Sequence, residues 1–157
     1  KDIAASCKMS SSSIYHYFKS KRDLIYESVL HVAYQIGGQI VDAIDENSST
    51  GENYRNAMRD VIKYVRGHVS EALFYIQIGV SPLFGLTEEE NDFFVASCPV
   101  MKLFRKGIAE GIVYDMPNLR SIAYFPVYVY AIENRDATPE QDDFFVDRLW
   151  KAISKDC

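Results

Sequence analysis

Leu24, Ile25, Val29, Val32, Ile36, Ile40 and Ile44 recur at three- and four-residue steps. That spacing gathers them on one side of a single α-helix, expected over residues 21–45 and roughly seven turns long. A helix of this length exceeds what one small unit needs and suits a connection between two. Helical spacing governs the rest of the chain as well, and no segment alternates with period two between turn signals. The expected fold is therefore all-α, with a small head over residues 1–30 and a larger body over 31–157.

The remaining elements follow from caps and breakers. Asp2 to Cys7 reads as a short helix with Ile3 and Ala4 facing inward, followed by a turn at Lys8-Met9. Ser10 caps a second short helix, Ser11 to Tyr17, with Ile14 and Phe18 on its inner side. Ser20 caps the long helix, and Asp23 favours its dipole. Residues 46–52 (ENSSTGE) form a polar connection ahead of a helix over 53–67, and an apolar helix covers 70–78. Thr87 and Glu90 form a capping box for a helix that Pro99 kinks or breaks. A helix over 119–133 contains Pro126. The last, over 139–154, opens on Thr138-Pro139-Glu140-Gln141, a cap, a proline at the first position and a box-closing glutamine.

Charge is divided unevenly. The 157 residues carry a net charge of −5. Residues 1–30 hold +2 of this, leaving −7 on the remainder. A basic head on an acidic body argues against nonspecific coating of nucleic acid or membrane. The three cysteines, Cys7, Cys98 and Cys157, have no short spacing. They suit a reducing compartment, and neither a disulfide framework nor a zinc site is expected. The longest apolar stretch, Ile122 to Ile132, is too short to span a bilayer, so a cytoplasmic protein without membrane partners is expected.

Two short helices with a tight turn, an aromatic exit and a basic cluster are the parts needed to lay a recognition helix in the DNA major groove. Short polar side chains approach base edges, while tyrosine hydroxyls and lysine ammonium groups hold phosphates. Ile3-Ala4, Met9-Ser10, Ser12, Ile14-Tyr15, Tyr17-Phe18, Ser20-Lys21 and Asp23-Leu24 stand in the order and spacing of a helix-turn-helix signature. In these residues the chain resembles the tetracycline-repressor (TetR) family of bacterial transcriptional regulators. Two departures stand out. Cys7-Lys8 replaces the usual Ala-Gly of the turn, so Lys8 must take a backbone conformation that glycine adopts more cheaply. No counterpart of the family's first helix precedes Lys1, so the head is expected to be truncated at its N-terminus.

The resemblance implies DNA contacts from Lys8, Ser10, Ser11, Ser12, Ser13, Tyr15, His16, Tyr17 and Lys21. It further implies a body that binds a small-molecule effector and pairs with a second copy through its last two helices. Candidate effector residues are Tyr64, His68, Phe74, Tyr75, Phe93, Phe104 and Tyr128. Candidate dimer residues are Tyr124, Val127, Ala131, Phe145, Leu149 and Trp150, because these helices carry more apolar surface than packing on one domain requires. The expected function is a ligand-responsive repressor that binds a palindromic operator as a homodimer and is released by a small molecule. The competing reading is a helical protein-interaction module without DNA binding. No cofactor is expected. Catalysis is not expected either, since no phosphate loop, nucleophile motif or Glu-x-x-His metal pair occurs.

Overall fold

The computed structural model describes residues 2–79, 87, 89–90 and 98–155. Nine helices lie among them: α1 (Asp2–Ser6), α2 (Ser11–Tyr17), α3 (Lys21–Asp42), α4 (Thr50–Gly67), α5 (Val69–Gly79), α6 (Pro99–Ala109), α7 (Leu119–Ala123), α8 (Phe125–Glu133) and α9 (Pro139–Ile153). The described residues contain no strand beyond one isolated bridge, Val113 with Ser154, and none of their helices is long and apolar enough to cross a membrane. The all-α expectation holds.

α4 is the axis of the body. Ser49 caps it, with a full capping box closed by Glu52. It starts three residues ahead of the expected boundary, because the polar run Ser49-Thr50-Gly51-Glu52 is a cap and a first turn instead of a free loop. Tyr54, Ala57, Met58, Val61, Ile62 and Val65 are fully enclosed, since α3, α5, α6, α8 and α9 all pack against this one helix. Arginines on its flank pair with the antiparallel α9: Arg55 with Asp147, Arg59 with Asp143, and Arg66 with both Asp142 oxygens at 2.7 Å.

α3 runs unbroken through residue 30, so head and body share it. Val29, Val32, Ile36, Gly37 and Ile40 are its buried stripe. Ile40 is wholly enclosed, and a Cβ placed on Gly37 would lie 3.5 Å from the Pro99 ring.

The prolines act as breakers. Pro99 opens α6, and Pro126 sits in the first turn of α8. The helix expected over 119–133 is therefore two, separated at Tyr124 (φ −125°, ψ −57°). Asn118 stands at the α7 cap in the left-handed conformation (φ 65°) and makes no side-chain capping bond. Gly107 allows the closest approach in the body, since a Cβ there would stand 2.5 Å from Val113 Cγ2 and 3.3 Å from Thr50 Cγ2.

Burial overturns part of the expected dimer surface. Tyr124, Val127, Ala131 and Trp150 lie in the core of a single chain, none more than 3% exposed. α8 rests directly on α4, so Tyr124 at its cap and Val127 and Ala131 within it turn inward, and the Trp150 ring meets Tyr54 at a tilt, 5.3 Å between centroids. Phe145 and Leu149 are half-buried.

Candidate nucleic-acid interface and sensing body

The head is built by local rules. α1 ends in a turn closed by Lys8 N–H to Ala5 O and Met9 N–H to Ala4 O, at 3.1 and 2.9 Å. Lys8 stands at φ 52°. The residue that replaces the usual glycine therefore adopts the left-handed conformation, at a cost of about 1 kcal/mol. The turn delivers Ser10 as the α2 cap, its hydroxyl accepting from Ser13 N–H and lying 2.8 and 2.7 Å from the Ser12 and Ser13 hydroxyls. Ser20 and Asp23 close the entry to α3 reciprocally, through Asp23 N–H to Ser20 Oγ and Lys19 N–H to Asp23 Oδ2.

The outward face of this unit carries the expected groups. Lys8, Ser10, Ser11, Ser12, Tyr15, His16, Tyr17 and Lys21 are exposed, and Ser13 is half-buried beneath the cap. Tyr15 is 60% and Tyr17 73% exposed, so neither ring is spent on packing. The His16 and Tyr17 rings meet edge to face at 5.4 Å. Ala4 is buried, as expected, but Ile3 is 48% exposed. Ile3 lies with Ile14, Tyr15 and Leu24 along a groove of about 220 Å³, because two short helices and the start of α3 wall it on only some sides.

The candidate effector residues divide into three groups. Tyr75 and Tyr128 come together in the body, their rings stacked at 5.7 Å. Burial raises both phenol pKa values, that of Tyr128 well above the ordinary one. Phe104 is buried too, packed toward Tyr54 at 6.0 Å. Tyr64 and His68 stand elsewhere, stacked on each other at 4.1 Å at the junction of α4 and α5. There His68 is exposed and the Tyr64 hydroxyl donates to Glu71. Phe74 is half-buried and lines a groove of about 530 Å³ between α3 and α5, opposite Phe18, Glu27 and His31. Phe93 lies outside the described residues.

Spacing alone missed two neighbours of Tyr75 and Tyr128. Tyr124, expected at the dimer surface, accepts a 2.5 Å hydrogen bond from the Tyr128 hydroxyl. Arg120 lowers the Tyr75 phenol pKa against the burial that raises it, and lies over the Phe125 ring at 4.9 Å. An arginine inside an aromatic helix start was the available signal.

Outside the core, the α8–α9 face carries Val129 at 53% and Phe144 at 62% exposure. A mainly apolar groove of about 690 Å³ runs along it between Ile76, Phe125, Val129, Tyr130 and Phe145.

Residues 1–27 match bacterial regulatory proteins of the tetR family. Over 120 residues the chain is 28% identical to the HTH-type transcriptional regulator LuxR of Vibrio harveyi, taking in 73% of this chain and 56% of that protein. The chain thus spans little more than half the length of this curated relative. The fold is shared with a TetR family transcription regulator from Marinobacter aquaeolei VT8, at a TM-score of 0.84 and 16% identity over 97% of this chain and 82% of that one. A putative tetR family regulator from Shewanella sp. PV-4 superposes with a TM-score of 0.82 at 14% identity, over 97% and 85% of the two chains. Residues 1–27 thus carry a match to the tetR family of bacterial regulatory proteins, and the chain shares the fold of these two solved regulators.

Proposed function

We propose that this chain is the DNA-reading and effector-sensing subunit of a homodimeric repressor. The observation that carries the reading is the head. A left-handed Lys8 delivers a serine-capped α2 whose Ser11, Ser12, Tyr15, His16 and Tyr17 are all exposed, with Lys8 and Lys21 on either side. Short hydroxyl side chains suit base edges, and the tyrosines and lysines suit phosphates. A second copy supplies the second head that a palindromic operator needs, about one helical turn away. The α8–α9 face, with Val129, Phe144, Phe145 and Leu149, is the surface for that copy.

Regulation in this reading is a two-state equilibrium. An effector held in the body prefers one orientation of α3, and the spacing of the two heads changes with it. Repression is relieved when the preferred orientation no longer fits the operator. In the cell this is a cytoplasmic task.

The test is fluorescence anisotropy of the full-length protein with DNA from upstream of its own gene, at low and moderate salt. The reading expects sequence-selective binding that weakens steeply as salt rises, because phosphate contacts release counterions. Binding without salt dependence or sequence preference would favour a protein-interaction module instead.

A further inference from the structure

The groove of about 530 Å³ between α3 and α5 also has Phe18, the C-cap of α2, on its wall. A space of this size takes a drug-sized organic molecule. α3 contributes Glu27 and His31, one helical turn apart, and beside them Ser28 and Val32, also one turn apart. α5 contributes Ser70, Glu71 and Phe74. Val32 is buried, whereas Phe18 and Phe74 are half-buried, so part of each ring remains open to an occupant.

The polar side of the groove is negative. Glu27 and Glu71 are exposed, one from each helix, and among the described residues neither pairs with a cation. Among the described residues that line the groove, only His31 is able to carry positive charge. Glu71 is held in place. The Tyr64 hydroxyl donates to its Oε2 at 3.0 Å, and the Tyr64 ring is itself stacked on His68 at 4.1 Å. The Glu71 Oε1 has no partner among the described residues. Ser28 gives its hydroxyl proton to Leu24 O at 2.7 Å, which leaves its oxygen lone pairs as acceptors. Two carboxylates and a hydroxyl oxygen thus offer acceptors, and a primary ammonium brings three N–H donors and no acceptor.

Other occupants fit less well. An anion meets two like charges, and an uncharged molecule strips water from the carboxylates without replacing it. A bare metal ion lacks a cage, since among the described residues no group of three or more His, Cys, Asp or Glu side chains is placed to hold one. We propose that this groove is an effector site for a protonated primary amine with an aromatic body, its ammonium held by Glu27 and Glu71 and its ring packed between Phe18 and Phe74. Phe18 belongs to the head and Phe74 to the body, so an occupant touches both and biases the angle between them. This rests on the regulator reading above and adds the place and the chemical class of the effector.

The test titrates the full-length protein calorimetrically, at moderate salt, with three probes. These are 4-phenylbutylamine, the uncharged 4-phenylbutanol, and butylamine, which keeps the charge and lacks the ring. The first is expected to bind about fivefold or more tightly than either of the others. Glu71→Gln keeps an acceptor for Tyr64, and Glu27→Gln alters only a solvated charge. Each variant alone lowers the preference for amine over alcohol, and the two together abolish it while the thermal midpoint stays in place. Saturating 4-phenylbutylamine weakens operator binding of the wild-type protein about fivefold or more, read by anisotropy. The proposal is overturned by an alcohol or a butylamine that binds as well as 4-phenylbutylamine, by no binding at millimolar concentration, by a preference that survives the double variant, or by an operator affinity that ignores the bound amine. Failure of the regulator reading looks different. The wild-type chain then ignores its operator even without amine, while the preference for ring and charge can still be read.

Discussion

The Arg22 guanidinium donates two hydrogen bonds to the Glu90 carboxylate, at 2.8 and 2.5 Å, across 68 positions of chain. One partner stands in the first turn of α3, beside the head. The other closes the cap that Thr87 opens, through Thr87 N–H to Glu90 Oε2 and Glu90 N–H to Thr87 Oγ1. The pair and the cap lower the Glu90 pKa to about 2, with Arg22 the larger cause.

This pair sets a pH dependence. A carboxylate with a depressed folded pKa stabilises the fold above its ordinary pKa and loses that contribution as pH falls through the folded value. For Glu90 the window runs from 4.5 down to about 2. Glu90→Gln keeps a box-closing side chain and removes only the charge. Its thermal midpoint, followed by circular dichroism, is expected below wild type at neutral pH, with the difference shrinking through that window. A constant offset at all pH values would show that the ion pair contributes nothing.

Two glycines are expected to respond oppositely to alanine. Gly107→Ala drives a methyl group into Val113 and Thr50, and overpacking of this kind costs about 1–3 kcal/mol. Gly38 lies within α3 with nothing within 4 Å of its would-be Cβ. Gly38→Ala is expected to gain up to ~1 kcal/mol from helix propensity. Urea denaturation of both variants, with the midpoint moving in opposite directions at unchanged slope, checks the pair.

At Lys8 the prediction separates folding from binding. Lys8→Gly relieves the left-handed strain, a gain of about 1 kcal/mol. The looser unfolded chain returns roughly 0.4–1 kcal/mol of it. Stability is therefore expected to rise slightly, and operator affinity to fall with the proposed phosphate contact of Lys8. Lys21→Ala is expected to weaken binding to all sequences alike and to reduce the salt slope by about one counterion. Anisotropy titrations over a salt series measure both.

The proposed pairing through α8 and α9 predicts a division among aromatic residues. Phe144 is exposed, with Arg148 over its ring at 4.9 Å. Phe144→Asp is expected to shift sedimentation toward the monomer without loss of helicity. Trp150→Ala is expected to cost about 3–5 kcal/mol of folding stability. If Phe144→Asp leaves the oligomeric state unchanged, the second copy docks elsewhere.

The residues differ in how far their environment could be read in advance. Helix starts were legible at Ser10, Ser20 and Thr138, because a capping side chain acts on backbone two or three positions away. Lys8 was legible for the same reason, since the turn itself demands a positive φ. The inward turn of Tyr124, Val127 and Ala131 was not legible. An apolar stripe specifies that a face is covered, and which neighbour covers it depends on α4, more than fifty residues earlier in the chain. Arg120 and Glu90 escaped for a related reason, as each acquires its meaning from partners on other helices. The start of α4 was missed more simply, because Ser49-Thr50-Gly51-Glu52 has the composition of a loop.

The buried stripe of α3 makes that helix a lever. From Ile40, wholly enclosed in the body, to the Ser20 cap is a span of about 30 Å at the helical rise per residue. Rocking the shaft by about 5° about Ile40 would sweep its head end through roughly 2.6 Å, as large as a hydrogen-bond length. In a two-headed assembly the error doubles. In the proposed two-headed regulator the body therefore needs no large rearrangement: a displacement of a few tenths of an ångström where α3 meets the body is geared up to a misfit that two recognition helices cannot both absorb.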